Sequence, residues 1–234
     1  MDSANQIYCT DCHQSDLHDD DRIDAHAATV ACQTCHIPAG AVREPTKINW
    51  DWSTAGRDDI VEDPHSYLRI KGSFVYESNF MPEYDWFNQT AQRYLIGDPI
   101  DPTQTTVLNP PSGGINDPTA LIWPFKIHRA LQVYDSVYNY LLQPQTAGEG
   151  GFWDTFDWPS ALERGSETVT LDFSGEYGFA PTEMYWPLSH MVQPAERALQ
   201  CYDCHGENGR MDWEALGYYG DPIRWGGRIV TNGN

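Results

Sequence analysis

One short pattern, repeated three times, constrains this chain more than anything else in it. It reads Cys9-Thr-Asp-Cys12-His13, then Cys32-Gln-Thr-Cys35-His36, then Cys201-Tyr-Asp-Cys204-His205. C-x-x-C-H is the attachment pattern of covalent haem c. Two thiols add across the two vinyl groups of one porphyrin, and the adjacent His binds iron as the proximal ligand. A single copy also suits a thioredoxin-like dithiol or half of a zinc site. Here three copies use all six cysteines. Zinc takes ligands in groups of four, and six Cys with three His do not divide that way. The pattern predicts three covalent haems.

The motifs are unevenly spread, two before residue 37 and one near the other end. They divide the chain into a two-haem segment at 1–40, a haem-free region at 41–180, and a one-haem helix and tail at 181–234, expected to fold as one compact unit. The middle has no cysteine and must fold by ordinary packing. The chain's nine Trp, thirteen Tyr and eight Phe supply large apolar area for it and for porphyrin.

Lys and Arg number 14 against 34 Asp and Glu, a net charge of −20. Nucleic acid and anionic membranes are excluded as partners on this ground. Acidic clusters admit cations, calcium among them. The run Asp16, Asp19, Asp20, Asp21, Asp24 lacks the Gly and final Glu of an EF-hand loop and reads as a solvated face. No stretch is long and apolar enough to span a bilayer, and no export signal is present. Haem is attached covalently outside the cytoplasm, so the expected location is periplasmic or extracellular, with the signal removed or outside this sequence.

Residues 41–64 read as irregular around Trp50 and Trp52. Tyr67 to Tyr76 reads as a strand with a bulge at Gly72. Residues 84–96 read as a short helix, and the Pro-rich 97–118 and Gly-rich 145–151 as loops. Glu167 to Phe173 alternates and reads as a strand pairing with the first one. Pro194 and Gly206 bracket a helix over Ala195–His205 that carries the third motif. The expected fold is a multihaem cytochrome c, mostly irregular, with short α-helices at the motifs and a small antiparallel sheet.

Several runs resemble the C-terminal half of octahaem tetrathionate reductases. They are Ala28 to Pro38, Pro45 to Gly56, Lys71 to Val75 and Tyr185 to Val192, and the likeness extends from about His26 to about Asp221. That family carries eight haems, and the resemblance implies that its N-terminal cluster, with the Lys-ligated catalytic haem, has no counterpart here. The Leu121 to Leu131 run also departs from the basic character expected after His128. Weak or absent tetrathionate reduction is therefore expected.

A low-spin electron-transfer haem needs a second strong ligand, and five histidines remain for that role. His26 and His190 lie just before motifs. Each is expected to reach a neighbouring haem, and the resemblance implies both as distal ligands. His18 is either a local ligand or a charged, solvated side chain beside Asp19–Asp21. His65 sits at the edge of a strand, a suitable ligand position. His128 lies in an apolar run and reads as a satisfied core histidine.

The leading function is electron transfer by a trihaem cytochrome. The first motif has almost nothing before it to enclose a haem, which suggests head-to-tail homopolymers, an extracellular conducting filament with a His supplied in trans. His18 and His65 are the candidates, and Trp213, Tyr218, Tyr219 and Trp225 the candidate interface. The alternatives are a periplasmic reductase of tetrathionate, hydroxylamine or nitrite, with Lys47, Asn49 and Arg57 as anion donors, and a carrier docking to a larger redox partner. The intact mass of denatured protein is expected to exceed the polypeptide by three haems; a mass fitting two, or bound zinc, contradicts the motif reading.

Overall fold

The computed structural model describes residues 7–14 and 17–228, so Asp16 of the acidic run lies outside the described residues. The elements are α1 (Asp21–His26), α2 (Cys32–His36), β1 (Thr46–Asp51), β2 (Tyr67–Leu68), β3 (Gly72–Glu77), β4 (Glu83–Phe87), β5 (Thr106–Val107), β6 (Leu121–Asp135), β7 (Tyr140–Leu141), α3 (Phe152–Thr155), α4 (Trp158–Val169), β8 (Tyr177–Pro187), α5 (Cys201–Cys204) and α6 (Pro222–Trp225). Strand β6 is the spine. It pairs antiparallel with β8 along eleven positions, from Phe125↔Pro187 to Asp135↔Tyr177. Its other partners are β4 at 121–125, β1 at 129–131 and β7 at 134–135.

The sheet is larger than the small antiparallel one expected. It has eight strands in the order β2-β3-β1-β6-β8-β5, with β4 and β7 also on β6, and two of its pairings, β1–β6 and β5–β8, are parallel. The sequence hides β6 because Pro124 interrupts it, and proline removes a ladder donor. Its carbonyl is still used, accepting from Leu188 N at 2.9 Å.

Other local readings give way to tertiary packing. Glu167–Phe173 is not a strand: it contains the end of α4 and the turn after it. Trp158, Ala161, Leu162, Gly165 and Ser166 recur at helical spacing on the buried side, and burying that stripe outweighs the strand propensity of the Thr/Val tail. Gly165 packs where a Cβ would come within 1.7 Å of the Gln143 carbonyl oxygen. The expected 84–96 helix is strand β4 and a loop, because Glu83–Phe87 pairs with the start of β6. Residues 41–64 contain β1. Tyr67–Tyr76 is a hairpin of β2 and β3 rather than one bulged strand, and Gly72 stands at φ +78° where the chain re-enters the sheet. The bulge lies instead in β1, between Lys47 and Asn49. The Ala195–His205 helix is broken into a 3-10 turn at Ala195–Arg197 and α5.

One buried charge anchors the far end of β6. Asp135 is fully buried and accepts from Val137 N (2.9 Å), Tyr138 N (2.9 Å), Ser174 N (2.8 Å) and Ser174 Oγ (2.9 Å). Burial pushes its carboxyl up, but these donors outweigh it and hold the group below 3.8. A depressed folded value stabilises the fold above the unfolded one and is lost as pH falls through the folded value. Asp135→Asn turns an amide NH₂ toward these donors and is expected to cost about 2–4 kcal/mol at pH 7. Denaturant titrations should show that gap shrinking below about pH 4; equal stability at pH 7 contradicts the assignment.

Candidate haem-binding site

The three motifs each form about one helical turn. His13 N donates to Cys9 O and His205 N to Cys201 O, both at 2.9 Å, and Cys32–His36 is helical throughout. Residues i, i+3 and i+4 lie on one helix face, so each turn presents two thiols and an imidazole together. That is the donor set a covalent haem requires.

Although 164 residues separate the end of the second motif from the start of the third, the fold brings them together. Thr29–Thr34 is tied to β6: Ala31 N donates to Ile122 O (3.0 Å), Ile122 N to Thr29 O (2.8 Å) and the buried Thr34 Oγ1 to Ile122 O (2.7 Å). The third motif is then tied to the second. Leu199 N donates to Cys35 O at 2.9 Å and Gln193 N to His36 O at 2.8 Å. Arg210 Nη1 donates to Pro38 O at 2.9 Å and reaches Tyr84 Oη at 3.3 Å. Burial pushes the Cys204 thiol up to about 12, with Cys35 the next contributor, and burial and then Cys9 raise Cys32. Thiols of neighbouring motifs thus lie within electrostatic reach of one another.

The histidines show how a ring is prepared for a metal. His26, at the end of α1, donates from Nδ1 to Arg22 O at 2.5 Å. His205 donates from Nδ1 to Asp221 Oδ1 at 2.7 Å. Burial raises the Asp221 carboxyl, but donation from Gly206 N, His205 and Ile223 N more than offsets this and keeps it ionised. His36 Nδ1 faces Gln193 O at 3.4 Å, beyond ordinary hydrogen-bond length. Tying Nδ1 fixes the tautomer and leaves Nε2 as the ligating nitrogen. The rings of His26 and His205 stand 6.3 Å apart between centroids, at 73°. With Nδ1 of each held, both rings would have Nε2 left to hold the iron of a haem attached at the third motif. The donors present therefore fit a covalent haem on the third motif. Trp213 stacks on His205 at 5.2 Å, and a cleft of about 580 Å³ lined by Arg210, Trp213, Asp221 and Trp225 opens beside it.

The remaining candidates are scattered. His18 Nδ1 pairs with Asp24 Oδ1 at 2.6 Å. His190 is exposed after β8, three residues before the Gln193 contact with His36. His65 is exposed in the turn before β2, near the Leu131 end of the sheet, roughly 30 Å along β6 from Ile122. His13 is exposed. His128 is not satisfied: its Nε2 is buried without a partner. Among the interface aromatics, Tyr219 and Trp225 are exposed, whereas Tyr218 is buried against Trp86 and Trp213 is half-buried. Among the described residues no three His, Cys, Asp or Glu side chains converge as a site for a free metal ion, and no helix is long and apolar enough to cross a membrane.

Asp221 and Arg210 are not legible as site residues in sequence. Asp221 also caps α6, accepting from Ile223 N.

Repeated C-x-x-C-H turns, the second and third tied together beside one end of a sheet, define a multihaem c-type cytochrome. Residues 47–208 match the family model described as bacterial cytochrome c, and the chain belongs to that family. A crystal structure of an octahaem cytochrome c from Shewanella oneidensis superposes with a TM-score of 0.90 at 48% identity, over 94% of this chain and 52% of that one. This chain thus spans about half the length of that protein. No curated protein matches. Covalent haem c is the cofactor of this class, and the likeness to octahaem cytochromes drawn from sequence holds across nearly the whole chain.

His26→Ala is expected to leave one haem high spin or with a replacement ligand, read in electronic and EPR spectra. An unchanged low-spin set would rule out the pairing with His205.

Proposed function

We propose that the chain carries three covalent haems, on Cys9/Cys12/His13, Cys32/Cys35/His36 and Cys201/Cys204/His205, and acts as an electron-transfer segment outside the cytoplasm. Each haem supplies a one-electron ferric/ferrous couple. The observation that carries this reading is the 6.3 Å approach of His26, from between the first two motifs, to His205 of the third. An axial pair drawn from two motif segments ties the haems into one cluster. Asp221 on His205 Nδ1 makes that imidazole a stronger donor and favours ferric iron. His190 is the second distal ligand in this proposal.

The assembly we favour is a head-to-tail homopolymer, an extracellular filament through which electrons run from copy to copy. Supporting it is apolar surface left around the outer motifs: Ile7 is 85% exposed, Tyr202 and Tyr219 both 87%, and Trp225 65%. Such side chains seek cover from porphyrin or from another chain. His65 lies far from its own motifs, so as an axial ligand it serves a neighbour's haem. His18, with Nδ1 held by Asp24, has Nε2 left for the same task. The −20 charge opposes self-association, so bridging cations such as calcium between carboxylates of adjacent copies belong to the proposal.

Light scattering and electron microscopy of native holoprotein test it. Filaments that shorten or vanish in His65→Ala are the expected result; a holoprotein that stays monomeric with every haem six-coordinate overturns the assembly.

A further inference from the structure

The chain has only three lysines, Lys47, Lys71 and Lys126; the fold puts Lys47 and Lys126 on one face of the sheet, and the Lys71 carbonyl accepts from Trp50 Nε1 on that face at 2.6 Å. Local geometry achieves this. The bulge between Lys47 and Asn49 puts Lys47 on the same face as Trp50, where an unbroken strand would place them on opposite faces. Trp50 pairs with Phe74 and Ala130, and Ala130 shares its face of β6 with Lys126 and His128. Lys47 Nζ lies 3.4 Å from the Trp50 ring centroid and 4.8 Å from that of Phe74. Lys126 Nζ donates to Thr46 Oγ1 at 2.7 Å. The His128 ring lies parallel to Trp50, 6.3 Å away, with its buried Nε2 unpartnered.

The charge on this face is uncompensated. Among the described residues no carboxylate stands within salt-bridge distance of any lysine, in a chain with 34 Asp and Glu. The opposite face behaves differently: Arg129 is held by Glu83 at 2.7 Å and Glu183 at 2.9 Å. Arg57 is likewise engaged by Asp59, and Asn49 points away from Trp50, so of the three anion donors expected from sequence only Lys47 is in the cluster. Aromatic rings stabilise an ammonium but cancel none of its charge. We infer that the face formed by Lys47, Lys126 and His128, with Lys71 beside Trp50, is a binding site for a small oxyanion carrying two or more charges, of the sulfate or phosphate type. Such an anion accepts from the lysine ammoniums and from the Nε2–H tautomer of His128, and so answers both the missing counter-charge and the orphaned nitrogen. A halide supplies one charge against three.

Burial, then Lys71 and Lys126, pushes Lys47 down to about 8, and burial, then Lys126 and Lys47, lowers His128 to about 4. Both directions are those of cations crowded without a counter-ion. The site is independent of the haem arrangement, so each can fail without the other.

The test is calorimetric titration of holoprotein with sodium sulfate, and separately with inorganic phosphate, at constant ionic strength set by sodium chloride. One saturable site is expected. Lys47→Gln, Lys126→Gln and His128→Leu should each weaken it roughly tenfold or more, with the Soret spectrum unchanged. The exposed Arg93→Gln should leave it alone. Absence of saturable binding, as when a haem propionate or a carboxylate of another copy already fills the face, overturns the proposal. Equal weakening by Lys47→Gln and Arg93→Gln also overturns it, since that is general screening.

Discussion

The architecture depends on a small main-chain clamp between the second motif and the central strand. Ile122 exchanges backbone hydrogen bonds with Thr29 and Ala31, and the buried Thr34 hydroxyl adds a third to the same carbonyl. Each is worth only about 1 kcal/mol net, but leaving the buried groups unpaired costs more than that. The clamp fixes α2, and α2 in turn offers the carbonyls of Cys35 and His36 to the segment before α5. The second and third motifs, from opposite ends of the chain, are thereby brought into one region.

The sheet behind this region has two ends and two faces with different work. At the Ile122 end it carries the attachment turns. Roughly 40 Å along β6, Asp135 and α4 close a conventional apolar core around Phe152, Trp158 and Leu162. That core needs no cofactor. It gives the haem-bearing turns, which bury little by themselves, a rigid body to stand on. One face of the sheet neutralises its arginine with two glutamates, and the other carries Lys47 and Lys126 with no carboxylate at salt-bridge distance among the described residues.

The electrostatics of the haem region follow the same logic. Histidines that ligate metal need one nitrogen held so that the other is free. Here a helix carbonyl holds His26 and a carboxylate holds His205, two acceptors of different strength. In the axial pair proposed for the third motif, the two rings would be tuned separately.

Much was legible in the sequence. The spacing of Cys and His is dictated by covalent chemistry, so the three motifs proposed to attach haem are legible without a fold. The long runs around Cys32, Trp50 and Tyr185 carried the octahaem likeness, and net charge followed from counting. The strand at Glu167–Phe173 and the helix at 84–96 were misread, because local alternation and propensity are worth tenths of a kcal/mol against burial of whole side chains. Only the tertiary structure decided that His26 meets His205, that Asp221 holds that ring, and that a one-residue bulge turns Lys47 toward Lys126 and His128. Those facts rest on contacts between residues far apart in the chain, or on strand register, and neither leaves a periodic mark in the sequence.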